Sequence, residues 1–371
     1  YQYRPEGLRN IAIDWNDDGT PDELKLFEGA GSALRTFAAP GVENIVFQLL
    51  AEDGSVLAST RTSIVIFSST LAASSVMPGA VDLVWGGTAG DDDYRFTELS
   101  PGEILVEIVK ENGVGVNSSV VVTGVTGILQ VDAGAGNDHV DASGLVTTKA
   151  HIHGDTGDDT VRGGAADDML DGDGVGPIGN DLIFGGGGND IIHGDGAEGY
   201  SSSGLGGKDT VVGGDGNDEI HADGAEGAYD DVVDAGDGDD TVFGDGDRPY
   251  RPSSSSGRDV IIAGAGADEV HGGIGSDLIV AGATTLSIGD VSLVAAEWSR
   301  TVPRATRVAN ILGPGSPDRA NGSVYLLPSV NVVNDETADE IFSDGGEDWL
   351  WLDLATDVSD QSAADEVVNI G

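Results

Sequence analysis

The chain has 371 residues, 59 of them glycine, and a formal net charge of −48 from 65 acidic residues against 17 Lys and Arg. With only 12 Pro and no Gly-X-Y period it is not collagen-like, and nucleic acid would be repelled at every approach. The absence of cysteine excludes disulfides and thiolate metal sites, and no apolar run is long enough to insert as a membrane helix.

Residues 1–68 alternate apolar and polar positions in "NIAIDWNDDG", "LRTFAAPGVENIVFQLLAEDG" and "RTSIVIF", which predicts a β-sandwich of short strands and turns. The segment resembles the later part of a PKD-type immunoglobulin-like domain, with Asp14 and Trp15 before a tight turn. The first strands of such a domain would precede Tyr1, so an excised piece or a strand supplied by a neighbour is expected. Asp14, Asn16, Asp18 and Gly19 also match the start of an EF-hand loop. Lys25 stands at its twelfth position instead of Glu, which favours a polar hairpin turn. Residues 69–80 read as a linker.

From 81 to 280 one pattern dominates. "GTAGDDDYR" sets Asp92 two residues before Tyr94, and "AGAGNDHVD" sets Asp138 two residues before Val140. "EILVEIV" and "SSVVVTGVTGILQV" between them read as longer strands. A Gly-x-Asp step then recurs at Asp159, Asp168, Asp181, Asp190, Asp209, Asp218, Asp231, Asp240, Asp259, Asp268 and Asp277, spaced 9, 13, 9, 19, 9, 13, 9, 19, 9 and 9. Two residues after each stands an apolar residue: Val161, Leu170, Ile183, Ile192, Val211, Ile220, Val233, Val242, Ile261, Val270 and Ile279. Glycine permits the sharp turn with exposed carbonyls, and three residues after the Asp make a short strand with one side chain inward. Two units then make one turn of a flattened parallel solenoid, with an aspartate row along each edge. Such rows call for a hard cation with oxygen ligands; Ca²⁺ suits carboxylates mixed with loop carbonyls better than Mg²⁺ or a transition metal.

"GGGGNDIIH", "GGDGNDEIH" and "GGIGSDLIV" resemble the repeats-in-toxin (RTX) nonapeptide G-G-x-G-x-D-x-U-x. The resemblance implies a calcium-loaded parallel β-roll with the eleven repeat aspartates as ligands. Asp92 and Asp138 join them as outer turns. Ala166, Ala235 and Ala263 replace glycines, so their loops depart from the pattern. The long spacings end at Asp181, Asp209, Asp231 and Asp259, every second unit, so all four insertions should lie on one edge. They carry Tyr200, Tyr229 and Tyr250, and the larger two add Lys208, Arg248, Arg251 and Arg258, which reads as an edge decorated for contact.

Residues 281–371 read as a C-terminal capping module. "GDVSLVAAEWSR" and "RATRVANIL" are helical, with Asp290 as N-cap, and Arg300, Arg304, Arg307 and Arg319 are expected to bridge to the acidic roll. "TADEIFSDGGEDWLW" restores the nine-residue step from Asp339 to Asp348, a closing repeat in which Trp349, Leu350 and Trp351 should seal the core end.

No zinc helix H-E-x-x-H and no nucleophile elbow G-x-S-x-G occurs. The six histidines lie in or beside the repeats, and the His151/His153 pair has no third ligand at metal spacing. The whole therefore reads as an all-β protein, not an enzyme. It is expected to be an extracellular or cell-surface bacterial module with structural and adhesive duties that folds on meeting calcium, neither inserting in membranes nor binding nucleic acid. A calcium-stabilised fibre joined by strand addition through "DEVVNIG", with self-association or a surface protein or glycan as partner, is one alternative. The secretion tail of a larger enzyme is another.

Overall fold

A computed structural model describes residues 68–174, 179–196, 206–223, 229–245, 257–361 and 365–371, together with four N-terminal strands. Those strands, Leu8–Asp14, Glu23–Glu28, Gly41–Leu50 and Val56–Ile66, form one antiparallel sheet with Leu8–Asp14 and Gly41–Leu50 at its centre. The candidate EF-hand positions Asn16, Asp18 and Gly19 lie outside the described residues, as do Tyr200, Arg248, Tyr250 and Arg251.

The rest is a roll of two long sheets, twelve strands in front and eleven behind. The residue two places after each aspartate dictates the stacking. In front, Val161, Ile183, Val211, Val233, Ile261, Ile279 and Leu350 pair in parallel register, turn upon turn. Behind, Ile152, Leu170, Ile192, Ile220, Val242, Val270 and Ile341 do the same. Successive strand residues point to opposite faces, so only this middle residue enters the narrow core. Every one of the fourteen is 1 % exposed or less. Burial of each such side chain contributes about 1.5–3 kcal/mol.

At the N-terminal end the sheets turn antiparallel. Asp93–Ser100, Glu103–Glu111 and Val114–Thr123 follow one another as neighbours in the front sheet. The expected linker is partly strand, since Ser68–Ala73 pairs antiparallel with Val81–Gly86. Trp85 fills this wider end, edge-on to Tyr94 at 5.6 Å and to Phe96 at 5.9 Å.

Residues after Val280 leave the roll, form α1 (Ile288–Trp298) and α2 (Arg304–Ile311), and re-enter it at Glu340. The helices lie on the outer face of the front sheet rather than over its open end. Their Val291, Val294, Trp298 and Ile311 cover Val260, Ile262, Leu278, Val280, Trp349 and Trp351. Trp349 and Trp351 thus face outward beneath the helices, and Leu350 alone of the three reaches the inner core. Beyond them the roll continues through Val358–Ser359 and Glu366–Asn369, both in parallel pairing.

Two local expectations are corrected. Ser287, not Asp290, caps α1; its hydroxyl accepts from the Asp290 N–H, and Asp290 stands in the first turn. The arginines mostly serve the helical segment itself. Arg300 pairs with Glu297 and Asp318, and Arg307 lies 4.5 Å over the Trp298 ring; Arg304 reaches the roll, donating to the Asp348 carbonyl at 2.6 Å.

Candidate metal centre

The sequence places an aspartate immediately before each repeat strand from Thr160 onward, and the parallel register stacks these residues along the two edges. On one edge, the backbone N–H of Asp92, Asp138, Asp159, Asp181, Asp209, Asp231, Asp259 and Asp277 each donates to Oδ1 of the next aspartate down, as far as Asp348, at 2.6–2.9 Å, and the Asp348 N–H donates on to Asp365 Oδ1 at 3.2 Å. On the other edge Asp168, Asp190, Asp218, Asp240, Asp268 and Asp339 form the same ladder at 2.7–3.0 Å. All fifteen candidate ligands therefore fall on two lines, nine on one and six on the other. The four insertions open and close on the nine-membered line, which we call the inserted edge; the other is the plain edge.

Oδ1 is satisfied, and Oδ2 in most cases is not. In Asp138, Asp159, Asp181, Asp190, Asp209, Asp218, Asp231, Asp240, Asp259, Asp268, Asp277 and Asp348 it is buried without a hydrogen-bond partner. An ionised carboxylate in that position carries a desolvation penalty of several kcal/mol. Burial accordingly pushes Asp159 up to about 9, Asp190 to about 8, and Asp240 and Asp268 to about 7. Asp209, Asp231, Asp259 and Asp277 are driven well above the carboxylate range, first by burial and then by neighbouring carboxylates.

Beside most of the free oxygens a glycine leaves a cradle. A Cβ added to Gly185 would come within 2.5 Å of both Asp190 Oδ2 and the Gly213 carbonyl of the next turn. Glycine leaves that space open, and the oxygens around it come from two successive turns. Ala235 and Ala263 stand at the equivalent position for Asp240 and Asp268, fully buried, and those aspartates keep the same partnerless Oδ2. Among the described residues no three His, Asp or Glu side chains form a ready-made metal cluster. A cation held here would take carboxylates one or two at a time and complete its shell with carbonyls, as the oxygen-rich, irregular sphere of Ca²⁺ allows.

A second row of aspartates escaped the sequence reading. Asp173, Asp195, Asp223 and Asp245 stand five residues after a plain-edge aspartate and are 1–6 % exposed. Each accepts the N–H of the residue two before the next inserted-edge aspartate: Gly179 at 3.2 Å, Gly207 at 3.0 Å, Tyr229 at 3.1 Å and Gly257 at 3.4 Å. They clamp the base of every insertion. Asp173 and Asp223 are pushed up to about 10 by burial and by Asp181, Asp209 or Asp259. The signal was present as an Asp-Gly pair opening each insertion, at 173, 195, 223 and 245.

The described cations of the inserted edge are engaged within the chain. Lys208 pairs with Asp230 at 2.7 Å, and Arg258 donates to the Ser299 carbonyl of the helical segment at 3.0 Å. Three of the histidines join a column on the back sheet. His193, His221, Phe243, His271 and Phe342 stack at 4.5–5.1 Å, and Asp171 lies between His153 and His193 at 2.8 and 2.7 Å.

Compared with known families, the chain matches the RTX calcium-binding nonapeptide repeat (4 copies) over residues 151–174, 178–197, 203–225, 227–248 and 253–283. These segments are RTX repeats. Such repeats bind several calcium ions per region, and the paired cradles along this roll are the places whose chemistry fits them. No curated protein and no solved structure matches the chain. No helix among the described residues is long and apolar enough to cross a membrane.

Proposed function

We propose that the chain is a non-enzymatic, extracellular module that becomes rigid on meeting calcium and serves adhesion or surface structure. The observation that carries this reading is the double line of buried, partnerless Oδ2 atoms. The fifteen ladder aspartates are the ligands in this reading, with loop carbonyls completing each shell. Calcium, when bound, supplies the positive charge and the oxygen coordination that these carboxylates lack. The chain's own residues do the rest: the ladder N–H groups fix each Oδ1, glycines keep the cradles open, and the inward Val, Leu and Ile hold the turns in register.

Without a cation the charges of adjacent turns oppose stacking, so binding and folding share one free energy. The expected result is loss of the far-ultraviolet β signal in EDTA and its return with calcium but not with equimolar magnesium. A spectrum indifferent to EDTA would refute the proposal. Secretion is consistent with this coupling, because calcium is plentiful outside cells. Contact with a surface protein or glycan is assigned to the inserted edge, whose loops interrupt an otherwise strict repeat.

A fibre is the second reading. Glu366–Asn369, within "DEVVNIG", is the outermost described strand of the front sheet, paired on one side with Trp349–Leu352. A strand from another copy could add there. Electron microscopy after calcium addition separates the two readings, since filaments support this one and discrete particles exclude it.

A further inference from the structure

We propose that Glu111 and Asp138 supply the carboxylates of a calcium site beside Asp92, at the N-terminal end of the inserted-edge ladder and outside the nonapeptide repeats. This rests on the reading of the ladder aspartates as calcium ligands and extends it to an element of different origin, an antiparallel hairpin.

Within the ladder, each Oδ1 receives the N–H of the aspartate one turn above. Asp92 is the first rung and has no repeat above it. Its Oδ1 instead accepts the N–H of Asn112, at 2.6 Å, from the turn between strands Glu103–Glu111 and Val114–Thr123. Asn112 has the left-handed backbone (φ 48°) that such a tight turn requires. The hairpin tip therefore stands where a preceding turn would place its aspartate.

The residue before it carries the charge. Continuing the register one step past the Asp93–Lys110 pair sets Glu111 across from Asp92. Glu111 is 0 % exposed, and neither of its carboxylate oxygens has a hydrogen-bond partner. The Asp138 Oδ2 one rung below is likewise buried and partnerless. Lys110, the nearest cation in sequence, is turned outward to Asp91 at 3.0 Å. Gly87 occupies the position of the lower cradles, since a Cβ there would collide with the Ala133 carbonyl, while Asp92 Oδ2 is held by the Thr88 N–H at 2.7 Å.

A buried carboxylate oxygen left without a partner costs about 1–3 kcal/mol, and three such oxygens stand here, two on Glu111 and one on Asp138. A hard divalent cation drawing on Glu111, the Asp138 Oδ2 and the Ala133 carbonyl answers all three orphan features at once. Its consequence is a latch: the ion ties the antiparallel hairpin to the first turn.

The test uses the full chain, with Glu111→Gln as isostere of the neutral acid, Glu111→Asp, and Glu107→Gln as an exposed control on the same strand. Calcium stoichiometry is measured by calorimetry, and hydrogen exchange is followed over residues 103–123. Glu111→Gln should lose one ion per chain and the calcium-dependent protection of 103–123, while the repeats keep their calcium-dependent β signal. Glu107→Gln should change neither, and Glu111→Asp should retain protection in part. An unchanged ion count and unchanged protection in Glu111→Gln overturns the site. Anomalous scattering from calcium-loaded crystals of the unsubstituted chain decides the matter independently of any variant's folding. Peaks along the ladders with none beside Glu111 sink this inference alone; no peaks anywhere sink the ladder reading as well.

Discussion

The two edges of the roll carry the same aspartate ladder on different loops. On the plain edge the turn is made by glycine in the left-handed region, such as Gly214 at φ 121° and Gly236 at φ 116°, five residues after an inserted-edge aspartate. At the same offset after a plain-edge aspartate the chain places Asp173, Asp195, Asp223 and Asp245 and opens an insertion. The inserted edge therefore holds up to two buried carboxylates per turn where the plain edge holds one. Burial and mutual repulsion follow: Asp231 and Asp259 are raised by burial and then by the insertion carboxylates Asp223 and Asp245 beside them. Insertion on one edge thus concentrates charge and makes that edge the more dependent on a cation.

The largest expected effect is removal of calcium itself. In EDTA near pH 8 the β signal should collapse, with exchange rising first at inserted-edge strands such as 210–215 and 232–237. Acid should partly substitute for the metal. These carboxyls have folded values raised above the unfolded value near 4, so between about pH 4 and 10 the folded state binds more protons than the unfolded one. Calcium-free stability must then rise as pH falls through that window, the reverse of a salt-bridged aspartate. A calcium-free chain that loses structure on going from pH 8 to pH 5 would contradict the burial argument. Calcium affinity should weaken over the same range, because ligand protons compete with the ion.

Next in size is a single-residue comparison across the edges. In saturating calcium, Asp231→Asn should cost about 3–5 kcal/mol, since it breaks a buried charge pairing, and Asp240→Asn about 1–3 kcal/mol. Denaturant midpoints measure both. In EDTA the order should invert, with Asp231→Asn stabilising the chain because it deletes the more strongly repelled charge. Equal effects on both edges would remove the distinction.

The roll was legible because its repeat fixes both chemistry and register: an aspartate, one residue, an apolar residue, then glycines. That pattern located all fifteen rungs and the eleven inward residues of the repeat core. The helical segment was legible as helix but not as a clasp. Its position depended on the outward residues of the front strands, which change from Thr160 and Arg162 early to Leu278 and Val280 late. Apolar residues on both faces of a strand announce a second layer, and the repeat's own regularity masked that shift. Asp173 and its equivalents carry no Gly-x-Asp step, so the nine-residue period does not mark them. Glu111 lies in a strand outside the repeat, and its proximity to Asp92 is a product of antiparallel register that no spacing reveals.

The smallest expected effect on folding comes from shortening the two long insertions. Removing six residues from each, 199–204 and 248–253, turns both 19-residue spacings into the 13 found at Asp168–Asp181 and Asp218–Asp231. Asp195 and Asp245 remain, with the Gly207 and Gly257 N–H groups they clamp. Loop closure depends weakly on length, each halving being worth about 0.6 kcal/mol, so the shortened chain should be at least as stable as the original. Calcium-dependent folding should therefore survive intact. If the insertions exist for contact, adhesion or assembly should fall, because the deletions remove Tyr200, Arg248, Tyr250 and Arg251. Unchanged adhesion would move the contact surface off this edge. Lost folding would show instead that the long loops stabilise the edge they interrupt, and the two edges would then differ in architecture as well as in charge.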